Sequence, residues 1–349
     1  MNRTSMPIAT SASLSNGEIT GAIPRLGKAR YFFVIMAILF PIIALIGFTP
    51  SYLAINTGEF KPHWFAHVHG AIMASWLLVF LTQTILAAKG NLRFHRQLGL
   101  FSVGLGVIVW LCMGTASIRA RIAYPPPLED FTWDILLIEM SAMNLFGLFF
   151  AWGVLARKKA AKHKRLIYLA TLVLLQAAVD RTRFLPGIEN TFYVRFIYLD
   201  ILTVPLFIYD FITTRRIHKM TIIGTMIIIM VQFAVTMTIG SPGWHKFWFN
   251  RLAPFVEKVV EVKLTDAQIA PLLGDYGDKN WHMTVRSDSG KVYLTLPNVP
   301  RFEMAPTAEN EWFLRTTIWK ISFIKGADGS VTKMINNEPG KTWEAPRMR

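Results

Sequence analysis

Seven apolar stretches occupy residues 31–49, 65–88, 97–118, 133–156, 166–185, 192–212 and 220–240. Each is close to the ~20 residues a helix needs to cross the hydrocarbon layer of a bilayer. In that layer every backbone N–H and C=O must be bonded inside the protein, so a spanning segment is a helix or part of a closed barrel. Runs this long and this apolar leave the helix. The predicted fold is a polytopic α-helical membrane protein with seven transmembrane helices over 31–240. A polar, Ser/Thr-rich tail over 1–30, read as disordered, precedes them and shows no cleavable signal peptide.

Charge orients the helices. The formal net charge is +15, a balance that can signal nucleic-acid binding. Its distribution excludes that class. Residues 250–349 carry 14 Lys/Arg against 12 Asp/Glu, whereas residues 1–249 carry 23 against 10. The excess sits in alternate short connections: the N-terminal tail, Lys89–Arg96, Arg157–Arg165 and Arg215–Lys219. Cytoplasmic loops retain Lys and Arg during insertion, so the expected N-terminus is cytoplasmic and the seventh crossing delivers the C-terminal part outside. The expected home is a bacterial inner membrane, with the lipid bilayer as first partner. Trp64, Trp133 and the Trp244–Phe249 run lie where aromatic belts meet headgroups. Residues 241–262 are accordingly expected as an interfacial linker helix on the outer leaflet.

From residue 263 the texture changes to short β-forming segments: Trp281–Arg286, Lys291–Leu296, Glu311–Thr316, Trp319–Lys325 and Ser330–Ile335. Ser287-Asp288-Ser289-Gly290 and Ala327-Asp328-Gly329 are hairpin signals between them. The expectation is a small antiparallel β domain over 263–349 with one buried face. With Cys112 the chain's single cysteine, no intrachain disulfide can support it. Leu272-Leu273-Gly274-Asp275-Tyr276, Val285, Gly290, Leu294, Phe302, Pro306, Phe323, Gly329-Ser330-Val331 and Arg347 follow a pattern that resembles the lipocalin-like β module found behind serine-β-lactamase-like domains. The resemblance implies no catalytic set, and points to a module that binds a membrane or periplasmic partner or acts as a lid.

Histidines supply the chemistry-bearing motifs. His63-Trp64-Phe65-Ala66-His67-Val68-His69-Gly70 enters the second helix, His95-Arg96-Gln97-Leu98-Gly99 the third and His163-Lys164-Arg165-Leu166 the fifth. Together they resemble a group of uncharacterised bacterial multi-helix membrane proteins with H-x-H-G, H-R-x-L-G and H-K-R-L motifs in that order. That resemblance implies haem or copper handling near respiratory oxidases. On a helix His63 and His67 share a face, while His67 and His69 do not. Either the first two bind together, or one member of the H-x-H pair faces the bundle and the other the headgroups. His63, His67 and His69 are the candidate ligands of a transition metal, imidazole being the commonest biological metal ligand. His95, His163 and His218 sit among Arg and Lys at the cytoplasmic boundary.

Glu139, Asp180, Arg181, Arg183, Arg195 and Asp200 fall in the outer half of the helices. Charged groups there cost ~2.5–3.5 kcal/mol each to insert, so they face the bundle interior or a wet cavity. The expectation is an outward-facing polar cavity or a set of interhelical ion pairs. Three functions compete. The first is metal- or haem-associated redox or metal-handling work. The second is a transporter or sensor whose β domain binds a partner or gates the cavity. The third is a metal-dependent membrane hydrolase, weakened because Thr221–Gly240 holds no ionisable residue. A bis-histidine haem needs ligands on two helices, and on the outer side only the second helix supplies them unless His245 joins it.

Overall fold

The computed structural model describes residues 29–58, 62–123, 132–182, 184–188, 192–255, 260–278, 282–296, 301–315, 319–338 and 341–348. Residues 1–28 of the expected tail and the predicted site residue Arg183 lie outside that set. The N-terminal part is a bundle of α1 (Phe32–Asn56), α2 (Trp64–Ala88), α3 (Leu92–Ala123), α4 (Thr132–Leu155), α5 (Ala160–Val173), α6 (Gln176–Val179), α7 (Phe192–Ile201), α8 (Val204–Thr214) and α9 (Lys219–Thr238). Among the described residues six helical segments are long and apolar enough to cross a membrane: Ala29–Asn56, Trp64–Ala88, Leu92–Ile122, Thr132–Leu155, Tyr193–Thr214 and Lys219–Thr238. Their outer faces are apolar. Ile35, Leu45 and Leu53 on α1, Leu100 and Phe101 on α3, and Met230, Phe233 and Met237 on α9 are all exposed. Surfaces of this extent need lipid rather than water around them.

The fifth stretch departs from expectation. In place of one helix over 166–185, α5 starts at Ala160, ends at Val173 and resumes as α6. Leu174 and Leu175 bond back three residues, to Thr171 and Leu172, so the turn tightens instead of unwinding. This is also the innermost element: Leu166, Tyr168, Leu169, Thr171 and Leu172 are fully buried. A core helix sheathed on all sides has no need to cover the full hydrocarbon thickness itself. The sixth stretch also breaks, into α7 and α8, just ahead of Pro205, which has no N–H to continue the ladder.

Close helix contacts depend on small residues. A Cβ on Gly47 would stand 2.3 Å from the Ala178 carbonyl oxygen, so α1 touches the α6 backbone directly. Along α3, Gly106, Trp110 and Gly114 repeat every four residues and interlock with Phe150, Gly147 and Met143 of α4. Without a hydrophobic effect between helices in lipid, van der Waals fit of this kind is what holds them. Trp76 sits edge-on to Phe146 and Phe150, and its indole N–H reaches the Thr171 hydroxyl at 3.3 Å.

The expected 22-residue interfacial helix is shorter. α10 spans Pro242–Leu252, and its Trp244, Trp248 and Phe249 pack on Trp133 and Leu136 of α4 and Ile118 and Ile122 of α3. Proline at the first turn starts it without losing a needed donor. By residue 260 the chain is no longer helical.

The C-terminal part begins with the short helix α11 (Asp266–Ile269), held by a Thr265/Gln268 capping box. It continues as β1 (Gly274–Gly277), β2 (His282–Asp288), β3 (Lys291–Thr295), β4 (Phe302–Ala308), β5 (Glu311–Leu314), β6 (Lys320–Lys325), β7 (Val331–Glu338) and β8 (Lys341–Pro346). These form one sheet in sequence order, every neighbour antiparallel. A Tyr276–Arg347 bridge and the Met348 N–H on the Asp275 carbonyl (2.8 Å) join the last strand to the first. The one-faced meander expected from alternation is therefore a barrel-like closure, which removes the unpaired edges. Ser289 and Gly290 both have positive φ (52° and 79°), the geometry of a tight two-residue hairpin turn between β2 and β3. Met283, Val285, Val292, Leu294, Met304, Trp312, Leu314, Ile321, Phe323 and Met334 fill the interior. Eight strands leave an interior that side chains of this size occupy completely. Arg347 closes one end, donating to the Pro271 and Leu273 carbonyls (2.6 and 2.8 Å).

Candidate functional site

The bundle has a basic end, where His95 meets His163 and Arg165 meets Asp210, and an end where α10 packs on α3 and α4. The three histidines of the first motif divide at the α10 end. His63 is the N-cap of α2, its Nδ1 accepting the Phe65 N–H at 3.2 Å, and is exposed. His67 is exposed as well. His69, two residues on, turns inward, with its Nδ1 3.4 Å from the Cys112 thiol of α3. One member of the H-x-H pair faces the bundle and the other does not, the second of the two arrangements the sequence allowed. Cys112 was not singled out from sequence as a partner for histidine. The signal was there in its lone position within an apolar span, but no local spacing connects residues 69 and 112.

Beside this pair lies the charged cluster. Arg181 is within electrostatic reach of His69, Asp180 and Glu139, and Asp180 within reach of Arg195. Gln176 Nε2 donates to Asp180 at 2.7 Å. Glu139 faces Arg121 of α3 at 3.3 Å, and Arg121 also donates to the Thr132 carbonyl at 3.0 Å. Arg195 is steadied by the Ile188 carbonyl (3.0 Å). Arg181 lies over the Phe48 ring of α1 and donates to the Ala177 carbonyl. Four of the expected cavity residues are thus neighbours. Asp200 belongs elsewhere: it accepts from Gln232 of α9 at 3.0 Å.

His245 is committed to Asp134, Nε2 to Oδ1 at 2.9 Å, with both residues almost fully buried. The same carboxylate oxygen accepts the Gly240 N–H, and the Trp244 indole donates to the Trp133 carbonyl. Together these pin α10 onto the start of α4. His245 therefore does not join the histidines of α2, and a haem held between the two has no second axial ligand there. Among the described residues no group of three or more His, Cys, Asp or Glu side chains is arranged to hold a metal ion. His69 and Cys112 form a two-donor pair only.

At the basic end the three remaining histidines are ordered by hydrogen bonds. His218 caps α9, its Nδ1 accepting the Met220 N–H at 3.0 Å. Burial, and then the Arg165 guanidinium, hold its pKa below the ordinary imidazole value. His95 and His163 come together, ring centroids 6.4 Å apart and planes at 86°. Next to them is a residue the sequence reading passed over. Asp210 of α8 is fully buried and accepts from Arg165 Nε (2.9 Å) and a second guanidinium N–H, the His218 backbone N–H (3.0 Å) and the Thr221 hydroxyl (2.5 Å). It looked like one more charge in a basic boundary; its burial depends on α5 and α9, which no local pattern reveals.

No protein-family model matches the chain, and no characterised protein matches it.

Proposed function

We propose that the chain is a seven-crossing bacterial inner-membrane protein, N-terminus in the cytoplasm and β domain outside, that handles a transition metal at an outward-facing site centred on His69 and Cys112. The α5–α6 unit is then the seventh crossing, sheathed by the six lipid-facing ones. The alternation of basic connections supports the orientation. The contact between His69 Nδ1 and Cys112 Sγ at 3.4 Å carries the metal reading. Imidazole and thiolate together suit copper and zinc. A metal there would take further ligands from water, substrate or a partner protein. Arg181 beside the pair adds positive charge, which favours an anion accompanying the metal.

Purified protein, loaded with copper or zinc and desalted, tests this by metal analysis and by absorbance. His69→Ala and Cys112→Ser are each expected to lose one bound equivalent relative to the wild type, and His67→Ala to lose none. Equal metal content in all four proteins, or none in the wild type, overturns it. A Soret band would replace the metal-ion reading with a haem.

A second reading, a sensor or transporter with a partner-binding β domain, is favoured by one observation. The barrel interior is filled by Met, Trp, Phe and Leu side chains, so recognition by this domain would use its outer surface. Membrane-protein partners that co-purify with the full chain and are lost when 263–349 is deleted would support it.

A further inference from the structure

Two of the three histidine motifs, 68 residues apart in sequence, meet at the basic end of the bundle. His95 stands in the first turn of α3 and His163 in the first turn of α5. Each ring is fixed the same way: His95 Nδ1 lies 3.3 Å from the Gln83 carbonyl oxygen and His163 Nδ1 2.8 Å from the Gly153 carbonyl oxygen. A carbonyl only accepts, so both Nδ1 atoms carry the proton. In the neutral imidazole that leaves Nε2 as a free lone pair on each ring. Metal-ligating histidines are oriented in this manner, the far ring nitrogen donating to a carbonyl or carboxylate. Gln83, whose backbone anchors His95, also has an unused side-chain acceptor. Its Nε2 donates to Ser102 at 3.1 Å, while its side-chain carbonyl oxygen is buried without a hydrogen-bond partner. Both rings are half-buried, reachable by an ion but shielded from bulk water.

We propose that His95 and His163 form a site for a monovalent soft cation, copper(I). The spacing bears on the ion. A metal about 2.0 Å from each ring nitrogen puts the centroids roughly 6 Å apart when the two nitrogens lie opposite each other, and about 5 Å apart at a tetrahedral angle. The observed 6.4 Å leaves room for a linear nitrogen–metal–nitrogen bridge, the two-coordinate geometry of copper(I). Charge points the same way. The nearby cations are mostly engaged: Lys162 lies over Trp152, Lys164 donates to Tyr209 and Arg165 pairs with Asp210. Arg96 still repels a positive ion, and it repels a single charge half as strongly as a double one. This site stands independently of the His69–Cys112 pair, and its ligand chemistry differs, with nitrogen and no sulfur.

The test uses the full chain carrying His69→Ala and Cys112→Ser, so that only this site remains. Anaerobic competition with a chromogenic copper(I) chelator gives stoichiometry and affinity, and X-ray absorption gives the ligand atoms. One equivalent of copper(I) is expected, with two nitrogen neighbours and no sulfur. Affinity should fall at least 100-fold in His95→Ala and in His163→Gln, the latter keeping a side-chain donor for the Gly153 carbonyl and hence the fold. The proposal is overturned if this protein, with the thermal midpoint of the wild type, takes no copper(I), or if both histidine variants bind as well as their parent. In the otherwise wild-type chain His69→Ala should lose one of two copper(I) equivalents, and a His69→Ala protein that holds none overturns this site.

Discussion

Replacing Asp210 with alanine should cost the helical domain about 3–5 kcal/mol, the loss expected when one partner of a buried ion pair is removed. Asp210 is fully buried and Arg165 nearly so, at 3% exposure. The carboxylate takes four hydrogen bonds from three places: the Arg165 side chain on α5, the backbone at the mouth of α9, and Thr221 within it. Its removal leaves a guanidinium, an N–H and a hydroxyl facing an empty site. A competing magnitude is far smaller. Polar contacts between membrane helices average only about 0.6 kcal/mol in double-mutant cycles, because released groups find other partners. The two estimates separate on one question: whether Arg165, once released, can extend to the headgroups as long basic side chains near helix ends do. Its Nη1 donates to the Ala161 carbonyl at 2.6 Å and its stem is packed in the core, which argues that it stays. The assay is unfolding of the purified protein in mixed micelles with rising SDS, followed by tryptophan fluorescence. Asp210→Ala should lose about 3–5 kcal/mol and Asp210→Asn a comparable amount, since the added amide N–H₂ faces donors. The double variant Arg165→Met/Asp210→Leu should recover most of the loss, because an apolar pair of similar size carries no stranded charge. A loss near 0.6 kcal/mol in Asp210→Ala, or a double variant as unstable as the two single ones added together, would refute the reasoning.

Three further outcomes follow from the same physical terms. Gly47→Ala should destabilise the bundle by about 1–3 kcal/mol, the range for overpacking, because its Cβ would meet the Ala178 carbonyl oxygen at 2.3 Å. Gly70→Ala, with open space around it, should be neutral or gain up to about 1 kcal/mol from helix propensity, and thermal midpoints of the two compare them directly. Acidification should loosen α9 through His218. Its pKa is lowered in the fold, so the cap's contribution is present above the unfolded value of about 6.5 and is lost as pH falls through the folded value. A midpoint dropping between pH 7 and 5 in the wild type, and flatter in His218→Asn, which caps without titrating, checks this; the cap itself is worth about 0.5–2 kcal/mol. In the barrel, burial pushes the Tyr276 phenol up to about 12, while its hydroxyl donates to the Leu272 carbonyl at 2.6 Å. The raised value means stability is full below pH 10 and falls as pH climbs toward 12, by about 3 kcal/mol in all. Tyrosinate absorbance and β-sheet circular dichroism should change together over that window, and Tyr276→Phe should remove the pH dependence.

The sequence was legible where the physics is local. Six helices followed from runs of apolar residues, since in lipid a helix is the only way for such a segment to satisfy its own backbone. β2, β3, β5, β6 and β7 followed from short β-forming runs, with alternation visible in β3 and β6, and from Ser-Gly and Asp-Gly turns. The strands that escaped notice are the irregular ones. β1 is a four-residue Gly-Asp-Tyr-Gly segment, β4 contains Pro306 and a register shift, and β8 has Pro346 at its end. Their pairing comes from neighbours on both sides rather than from their own composition. The break in the fifth helix went unforeseen for a related reason. Hydropathy measures how apolar a segment is, and a segment buried by other helices is as apolar as one bathed in lipid, so length alone could not distinguish them. At the candidate sites, residue types were visible and partners were not. His69 with Cys112, His95 with His163 and Arg165 with Asp210 are each separated by more than 40 residues, and each pairing is made by helix packing.

Those long-range pairings also divide the labour between the two ends of the bundle. At the α10 end Asp134 holds His245, and Glu139 holds Arg121, so the polar groups bind α3, α4 and α10 to one another. At the basic end Asp210 ties α5 to α8 and α9. Each end has one carboxylate nearly sealed from solvent, and each carboxylate is surrounded by donors. What remains uncommitted is distinctive by contrast. The His69–Cys112 pair and the Nε2 atoms of His95 and His163 are nitrogen and sulfur donors set beside these networks. They make sense if a ligand arrives to use them, and both sets have the softness that favours a late transition metal over a hard cation. Stability variants at Asp210 or Gly47 should therefore shift unfolding and leave metal stoichiometry intact, whereas variants at His69, Cys112, His95 or His163 should do the reverse.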